Sequence, residues 1–201
     1  RAHTVVVGDD FRFGAGREGD VEVLRELAKA HGFDVLIVDP VHHGDDLVSS
    51  TRIRAHIEAG EVAAAGVLLA RFHDVTGTVV KGDQRGRTIG FPSANLTTPD
   101  TAPCDGVYAV LTKTESGARV RGVANLGVRP TFEAGRSVEV HLLDFEGDLY
   151  GTVLRVAFVA RLRGEQKFDG IDALRAQLAR DVAAGREALA GMNQDERALW
   201  I

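Results

Sequence analysis

The hydrophobic pattern of the N-terminal third predicts alternating strands and helices. Residues 4–7 form a short β-branched run, and residues 34–39 read DVLIVD, a continuously apolar run typical of a parallel strand that is buried on both faces. Between them, apolar residues recur at helical spacing after Asp20, which can cap the helix, and Gly32 ends it. A second helical stretch follows, and Gly60 breaks it. Strand, helix and strand make up half of a doubly wound α/β unit.

Near Phe72 the pattern changes to short β-rich runs separated by turns. We therefore place a domain boundary here, with a partial α/β domain over residues 1–72 and a second domain over residues 73–201. The spacing of the runs is typical of an antiparallel barrel or sandwich. From Asp169 the pattern is helical again, and Asp169 or Asp172 can cap this C-terminal helix. The predicted strands are 74–80, 106–113, 120–126, 137–143 and 152–162.

Composition and charge exclude several classes of protein. The longest apolar runs fall far short of the roughly 20 residues that a membrane helix needs, so we predict no span. The sparse use of cysteine suits a reducing cytoplasm, which is where we expect the protein. Cys104 is the single cysteine, which excludes an intrachain disulfide and a multi-cysteine metal site. The net charge of −5 argues against a general nucleic-acid surface. Because the sequence begins with Arg1 and not methionine, we expect a fragment or a processed product.

Residues 77–96 read GTVVKGDQRGRTIGFPSANL and combine glycines with three cations, Lys81, Arg85 and Arg87. A glycine-rich cationic loop can hold phosphate groups against its backbone N–H groups. It is not a Walker A loop, because that motif needs a longer glycine spacing and opens a helix, whereas Pro92 follows closely here. The stretch predicts a phosphate-binding loop of another type.

Motifs in order along the chain resemble the riboflavin kinase domain. After residues 77–96, the matching segments are DGVYAV at 105–110, GVANLGVRPTF at 122–132, SVEVHLLDFEGDLYG at 137–151 and RLRGEQKFDGIDAL at 161–174. Residues 4–69 are similar to the second half of the FMN adenylyltransferase domain of bacterial bifunctional FAD synthetases, through VVVGDDFRFGAGREGD and VSSTRIR.

The resemblance implies both a fold and an activity. The fold is a partial Rossmann-like nucleotidyltransferase domain followed by an antiparallel β-barrel with a C-terminal helix. The activity is transfer of the ATP γ-phosphoryl group to the 5′-hydroxyl of riboflavin, with Mg²⁺ as cofactor and FMN and ADP as products. Riboflavin and ATP are then the expected partners, without nucleic acid or membrane, and the oligomeric state stays open.

The central site residues are Glu139, Ser93 and Asn95. Strand alternation puts Glu139 and His141 on one face, where a carboxylate points either to solvent or into a ligand cavity. The resemblance implies that Glu139 is the catalytic base and that Ser93 and Asn95 hold Mg²⁺. The family usually has Pro-Thr-Ala-Asn where this chain has Pro92-Ser-Ala-Asn, so the hydroxyl is kept and the methyl group is lost.

The resemblance also implies three peripheral sets of residues. The structural alternative for the first set is a plain hairpin. For the second set the alternatives are core packing at Phe91, turn formation at Asn125, Arg129 and Thr131, and a charged helix start at Arg161, Arg163 and Phe168. A flap over the ATP phosphates would contain Gly82, Arg85, Gly86, Arg87 and Gly90. Flavin-binding residues would be Phe91, Asn125, Arg129, Thr131, Arg161, Arg163 and Phe168. The adenylyltransferase remnant would meet nucleotide phosphates at a helix N-terminus through Ser49, Ser50, Thr51 and Arg54.

The nucleotide motif of the His-x-x-His type that should precede Thr4 is absent from this sequence. We therefore expect adenylyl transfer to be lost in the chain as given, and a longer parent to carry both activities. Two other functions remain open. One is a flavin- or nucleotide-binding module without turnover. The other is a barrel that binds single-stranded nucleic acid, which an aromatic content of 6% and the net charge of −5 disfavour.

Overall fold

The computed structural model separates into two compact units, Arg1–Ser49 and Ser50–Ile201. The residues described are 2–82, 86, 89–97, 101–128 and 136–192.

The first unit contains the predicted strand–helix–strand. Strand β1 (Thr4–Gly8) pairs in parallel with β2 (Asp34–Val38), and helix α1 (Val21–His31) connects them. The Asp20 carboxylate accepts hydrogen bonds from the backbone N–H groups of Glu22 and Val23, each at 3.1 Å. Gly32 ends the helix with φ of 70°. Both predicted helix ends are therefore confirmed. A short hairpin follows, formed by β3 (His42–His43) and β4 (Asp46–Leu47).

The expectation that β2 is buried on both faces is wrong. Leu36 and Val38 are 56% and 45% exposed, and Val6, which pairs with Leu36, is 57% exposed. The residues between them in sequence, Val35 and Ile37, are half-buried. Among the residues described in this unit, the parallel sheet has two strands and packs against a single helix. The helix packs against one face, and the exposed residues Val6, Leu36 and Val38 belong to the other.

Six strands among the described residues of the second unit close into an antiparallel barrel. Around the barrel the order is β5-β6-β9-β8-β7-β10, and β10 returns to pair with β5. The strands are β5 (His73–Val80), β6 (Ala94–Thr97), β7 (Gly106–Thr114), β8 (Arg119–Val128), β9 (Arg136–Leu142) and β10 (Val153–Arg163). Five of them match predicted runs within a few residues, and β6 was not predicted.

Two apolar layers hold this unit together. Alternate residues of the strands fill the barrel interior, and the outer face of β7 and β10 packs under the C-terminal helix α4 (Ile171–Ala188). The largest fully buried interior side chains include Tyr108, Phe158, Leu126, Leu154, Val138 and Val140, and the outer layer contains Ala109, Leu111, Ala157 and Leu189.

The helices before the barrel belong to the barrel unit. Helices α2 (Ser50–Ala59) and α3 (Val62–Leu69) are separated at Gly60, whose φ of 77° confirms the predicted break. Helix α3 packs against β5 and β10. Compact units therefore divide after Ser49, ahead of the boundary predicted at Phe72, where the change of pattern coincides with the start of β5.

Helix α4 starts without either of the predicted caps. Gly170 occupies the N-cap position with φ of 132°, and no side chain caps the helix. Since the helix begins at Ile171, Asp169 lies one residue before the cap and Asp172 lies inside the first turn. An effective cap must be the residue directly before the first helical residue, so both expectations are wrong. No helix in the described part of the chain is long and apolar enough to cross a membrane.

Candidate active site

Three polar side chains form a row across neighbouring barrel strands. In the strand register, Glu139 of β9 lies opposite Asn95 of β6 on one side and opposite Asn125 of β8 on the other. Directly opposed residues point to the same face of a sheet. Val138 and Val140 on either side of Glu139 fill the interior, so the row lies on the outer surface of the barrel.

The exposure of the residues increases along the row from Asn95 to Asn125. Asn95 is 7% exposed, Glu139 is half-buried and Asn125 is exposed. A carboxylate in the middle of such a row can be reached from solvent on the β8 side, while its β6 side is enclosed. The sequence contained each of these residues, but the pairing of Asn125 with Glu139 depends on the β8–β9 register, which the sequence pattern did not reveal.

Ser93 joins this row from the segment directly before β6. Its Oγ donates a long hydrogen bond of 3.5 Å to Oε2 of Glu139. A hydroxyl from the segment before β6, a buried amide on β6 and a carboxylate on β9 thus lie close together. Hard divalent cations prefer oxygen ligands of these kinds and accept the remainder from water and phosphate. The donor set therefore fits a divalent cation that arrives with a nucleotide. Within the described ranges no group of three or more His, Cys, Asp or Glu side chains forms a metal cluster.

The predicted flap, residues 82–90, leads into the segment that carries Ser93. The Gly86 carbonyl accepts hydrogen bonds from the backbone N–H groups of Phe91 at 2.8 Å and Ile89 at 3.3 Å. A Cβ atom at Gly86 would collide with the carbonyl oxygen of Phe91 and lie 3.4 Å from Oγ of Ser93. Because Gly86 has no side chain, its backbone can approach the segment of Phe91 and Ser93 closely. Gly90 adopts φ of 90°, in the region that favours glycine.

The flap's other predicted residues are only partly described. Gly82 is half-buried and follows Lys81, whose ammonium group lies 5.8 Å from the centre of the Tyr150 ring. Arg85 and Arg87 lie outside the described residues, and so do Arg129 and Thr131 of the predicted flavin set.

Phe91 packs against His141 of β9. Its ring meets the His141 ring edge to face, with the centroids 5.6 Å apart. The Nδ1 atom of His141 lies 2.8 Å from the Pro92 carbonyl oxygen. Because a carbonyl only accepts, Nδ1 carries the proton in this bond. Phe91 is half-buried beside the row and not in the barrel core.

Arg161 and Arg163, at the end of β10, are engaged in contacts within the barrel unit. Arg161 donates to the Asp105 carbonyl at 2.9 Å and to the Ala59 carbonyl at 3.4 Å. Arg163 donates to both carboxylate oxygens of Asp181 at 2.9 and 2.7 Å. These contacts give each arginine a structural task, and their flavin-binding role stays a prediction.

Asp181 is a buried residue that the sequence reading passed over. It is 4% exposed, lies on α4 and also accepts a hydrogen bond from Gln177 at 2.8 Å. Phe168 lies in the same region, with its ring centre 5.8 Å from the guanidinium carbon of Arg163. The sequence did contain a signal, because this aspartate lies on the apolar stripe of α4. A carboxylate that is buried there needs a cationic partner.

The predicted adenylyltransferase remnant spans the position in the sequence where the two units divide. Ser49 is the last residue of the first unit, and Ser50 begins α2 in the second. Thr51 follows in the first turn of α2, and Arg54 lies one turn later; both are exposed. Their contact with nucleotide phosphates stays a prediction.

Comparison with known proteins gives concordant family matches. The family model described as riboflavin kinase matches residues 69–189, and the model described as FAD synthetase matches residues 1–52. The bifunctional riboflavin kinase/FMN adenylyltransferase of Escherichia coli K12 is 43% identical, with 93% of this chain and 60% of the relative covered. The protein of the same name from Haemophilus influenzae is 37% identical over 90% of this chain and 59% of its own length.

A solved structure shares most of this fold. The crystal structure of a macrolide-efflux protein from Streptococcus pneumoniae matches with a TM-score of 0.77 and 38% identity, covering 92% of this chain and 60% of that chain. This chain therefore spans about 60% of the length of the relatives it matches.

Proposed function

The chain belongs to the riboflavin kinase family, and from this premise we propose that it transfers the γ-phosphoryl group of ATP to the 5′-hydroxyl of riboflavin. The observation that carries the proposal is the placement of Glu139 between the oxygen donors of Ser93 and Asn95 and the exposed end of the row at Asn125. A carboxylate, two oxygen donors and a solvent-exposed side thus lie close together. They support the proposal because phosphoryl transfer to an alcohol needs a proton acceptor, a bound cation and access for the substrate.

In the proposed reaction Glu139 accepts the proton of the riboflavin 5′-hydroxyl. The hydroxyl oxygen forms a bond to the γ-phosphorus, the bond from that phosphorus to the β–γ bridging oxygen breaks, and ADP leaves. Glu139 already accepts a hydrogen bond from Ser93, so its carboxylate can take the acceptor role. The half-buried position limits the number of competing water molecules around it.

Ser93 and Asn95 are the residues that would hold the divalent cation, which we propose is Mg²⁺. When bound, the cation would neutralise charge on the β- and γ-phosphates. Asn95 is held by β6, whose pairing with both β5 and β9 fixes its backbone, so its side chain is presented from a rigid position. Ser93 lies outside the strand and depends on the loop that precedes it.

The proposal has a direct test in which the purified chain is incubated with riboflavin, ATP and Mg²⁺ and the flavins are separated by chromatography. FMN formation that requires ATP and the cation supports the kinase. Binding of riboflavin or ADP without any FMN contradicts it and leaves the binding module as the function. The same chromatogram separates FAD, which would report the adenylyltransferase activity named for the relatives.

Riboflavin, FMN, ATP and ADP are the proposed partners, and a cytoplasmic location accords with these substrates. The flap at residues 82–90 is proposed to cover the phosphates. The remnant residues Ser49, Ser50, Thr51 and Arg54 are proposed to serve adenylyl transfer in a longer protein that contains this chain.

A further inference from the structure

The segment before β6 is tied to β9 by a side chain and not by the strand ladder. The described pairing of β6 with β9 begins at Ala94, opposite Val140. One step beyond this first pair, Nδ1 of His141 donates to the Pro92 carbonyl at 2.8 Å. Proline has no N–H group to donate, so the backbone can make only part of a ladder at this position.

His141 and Glu139 point to the same face of β9, because they are separated by two residues along a strand. The His141 side chain therefore binds the segment that carries Ser93, and the Glu139 carboxylate accepts a hydrogen bond from the Ser93 hydroxyl at 3.5 Å. The edge-to-face contact of His141 with Phe91 adds a second attachment. The opposite side of the segment is attached to Gly86 through the Phe91 N–H.

We propose that His141 is a positioning residue that sets the place of Ser93 beside Glu139 and thereby the affinity for the nucleotide–cation complex. The inference deepens the proposed kinase function and rests on it. Asn95 is held by backbone pairing on two sides, so it does not need this support. Ser93 has no such pairing among the described strand registers, and its hydroxyl depends on the Phe91–Pro92 segment.

Three substitutions at this position separate the hydrogen bond from the ring. His141→Ala removes both. His141→Asn keeps an N–H donor at the same number of bonds from Cα as Nδ1, whereas His141→Gln places its donor as far out as Nε2, where no bond to Pro92 is made. The order of nucleotide affinity expected from the geometry is wild type, then Asn, then Gln and Ala together.

The measurement is isothermal titration of each variant with ADP in the presence of Mg²⁺, together with steady-state kinetics. A single hydrogen bond of ordinary strength corresponds to roughly a two- to tenfold loss of affinity in His141→Ala and His141→Gln. The loss should fall on the KM for ATP more than on kcat, and His141→Asn should recover a large part of it. Equal affinity in all four proteins, or a loss confined to kcat, overturns the inference.

A second measurement keeps the inference separate from the proposed function. Nuclear magnetic resonance of the free protein reports the His141 tautomer and the amide signals of Phe91 and Ser93. The inference predicts a proton on Nδ1, shifted amide signals in His141→Ala and a return towards wild type in His141→Asn. If wild type forms no FMN but these signals behave as predicted, the function is wrong and the positioning stands. If the signals of the three proteins coincide, the positioning is wrong whatever the activity.

Discussion

The ion pair between Arg163 and Asp181 should be a main attachment of α4 to the barrel. Asp181 is 4% exposed and accepts two hydrogen bonds from Arg163 and one from Gln177. The substitution Asp181→Asn keeps the size of the side chain but removes its charge. It also turns an N–H donor towards the guanidinium group, leaving a half-buried cation without its counter-charge.

The expected loss follows from the burial of both partners. Removing one partner of a fully buried pair costs about 3–5 kcal/mol. The Arg163 side chain is 21% exposed and keeps a hydrogen bond to the Gly164 carbonyl at 2.9 Å, so water and backbone recover part of the loss. We therefore expect Asp181→Asn to lower the free energy of unfolding by about 2–3 kcal/mol.

The chain offers a matched control in Asp144→Asn. Asp144 also makes a two-bond pair with an arginine of α4, Arg186, at 2.7 Å for each bond, but the two side chains are 74% and 51% exposed. The Arg186 guanidinium lowers the pKa of the Asp144 carboxyl. Asn tolerates the positive φ of 55° at this position, so the backbone is not perturbed. Exposed pairs contribute little, and we expect a small change.

Both variants are compared with wild type by urea unfolding followed by circular dichroism. We expect a clear drop in the unfolding midpoint for Asp181→Asn and a small change for Asp144→Asn. Equal effects of the two substitutions, or a loss below about 1 kcal/mol for Asp181→Asn, would refute the argument from burial.

Two further predictions concern His73 and Ala70. Burial lowers the pKa of His73, although its ring donates to the Thr101 carbonyl at 2.8 Å. As pH falls, the unfolded chain therefore binds the His73 proton before the folded chain does. The stability that neutral His73 contributes is present at pH 7 and is lost as pH falls below about 6.5 towards the lower folded pKa. The difference in free energy of unfolding between wild type and His73→Gln, measured in urea, should shrink from pH 7 to pH 5, and a growing difference would contradict the burial argument. Ala70 ends α3 with φ of 54° and is exposed, so Ala70→Gly should raise the free energy of unfolding by about 0.5–1 kcal/mol in the same assay, and a decrease would refute the assigned strain.

The sequence patterns predicted five of the described barrel strands because alternation is a local signal, whereas the choice of a barrel over a sandwich came from the family resemblance. The strands from β7 to β10 each run for seven residues or more, so their apolar positions repeat often enough to be recognised. The caps of α1 were predicted for the same reason, since Asp20 and Gly32 act on adjacent backbone groups.

The missed features depend on long-range contacts. Strand β6 has four residues, too few for a pattern, and it exists because β5 and β9 pair with it from both sides. The row of Asn95, Glu139 and Asn125 likewise follows from register and not from spacing along the chain. The burial of Asp181 depends on Arg163, which is far away in sequence. For β2 the sequence predicted a burial that is not found at Leu36 and Val38. A continuously apolar run predicts burial only when another layer covers the strand.

The role of Glu139 as the base is tested by the rate of FMN formation by Glu139→Gln at saturating riboflavin, ATP and Mg²⁺. Because the amide cannot accept the hydroxyl proton, we expect kcat to fall by roughly 10²-fold or more while riboflavin and ADP binding are kept. Glu115→Gln is the control, since Glu115 is exposed in the turn between β7 and β8 and should retain the wild-type rate. Near-normal turnover by Glu139→Gln would contradict the assignment of Glu139 as the base.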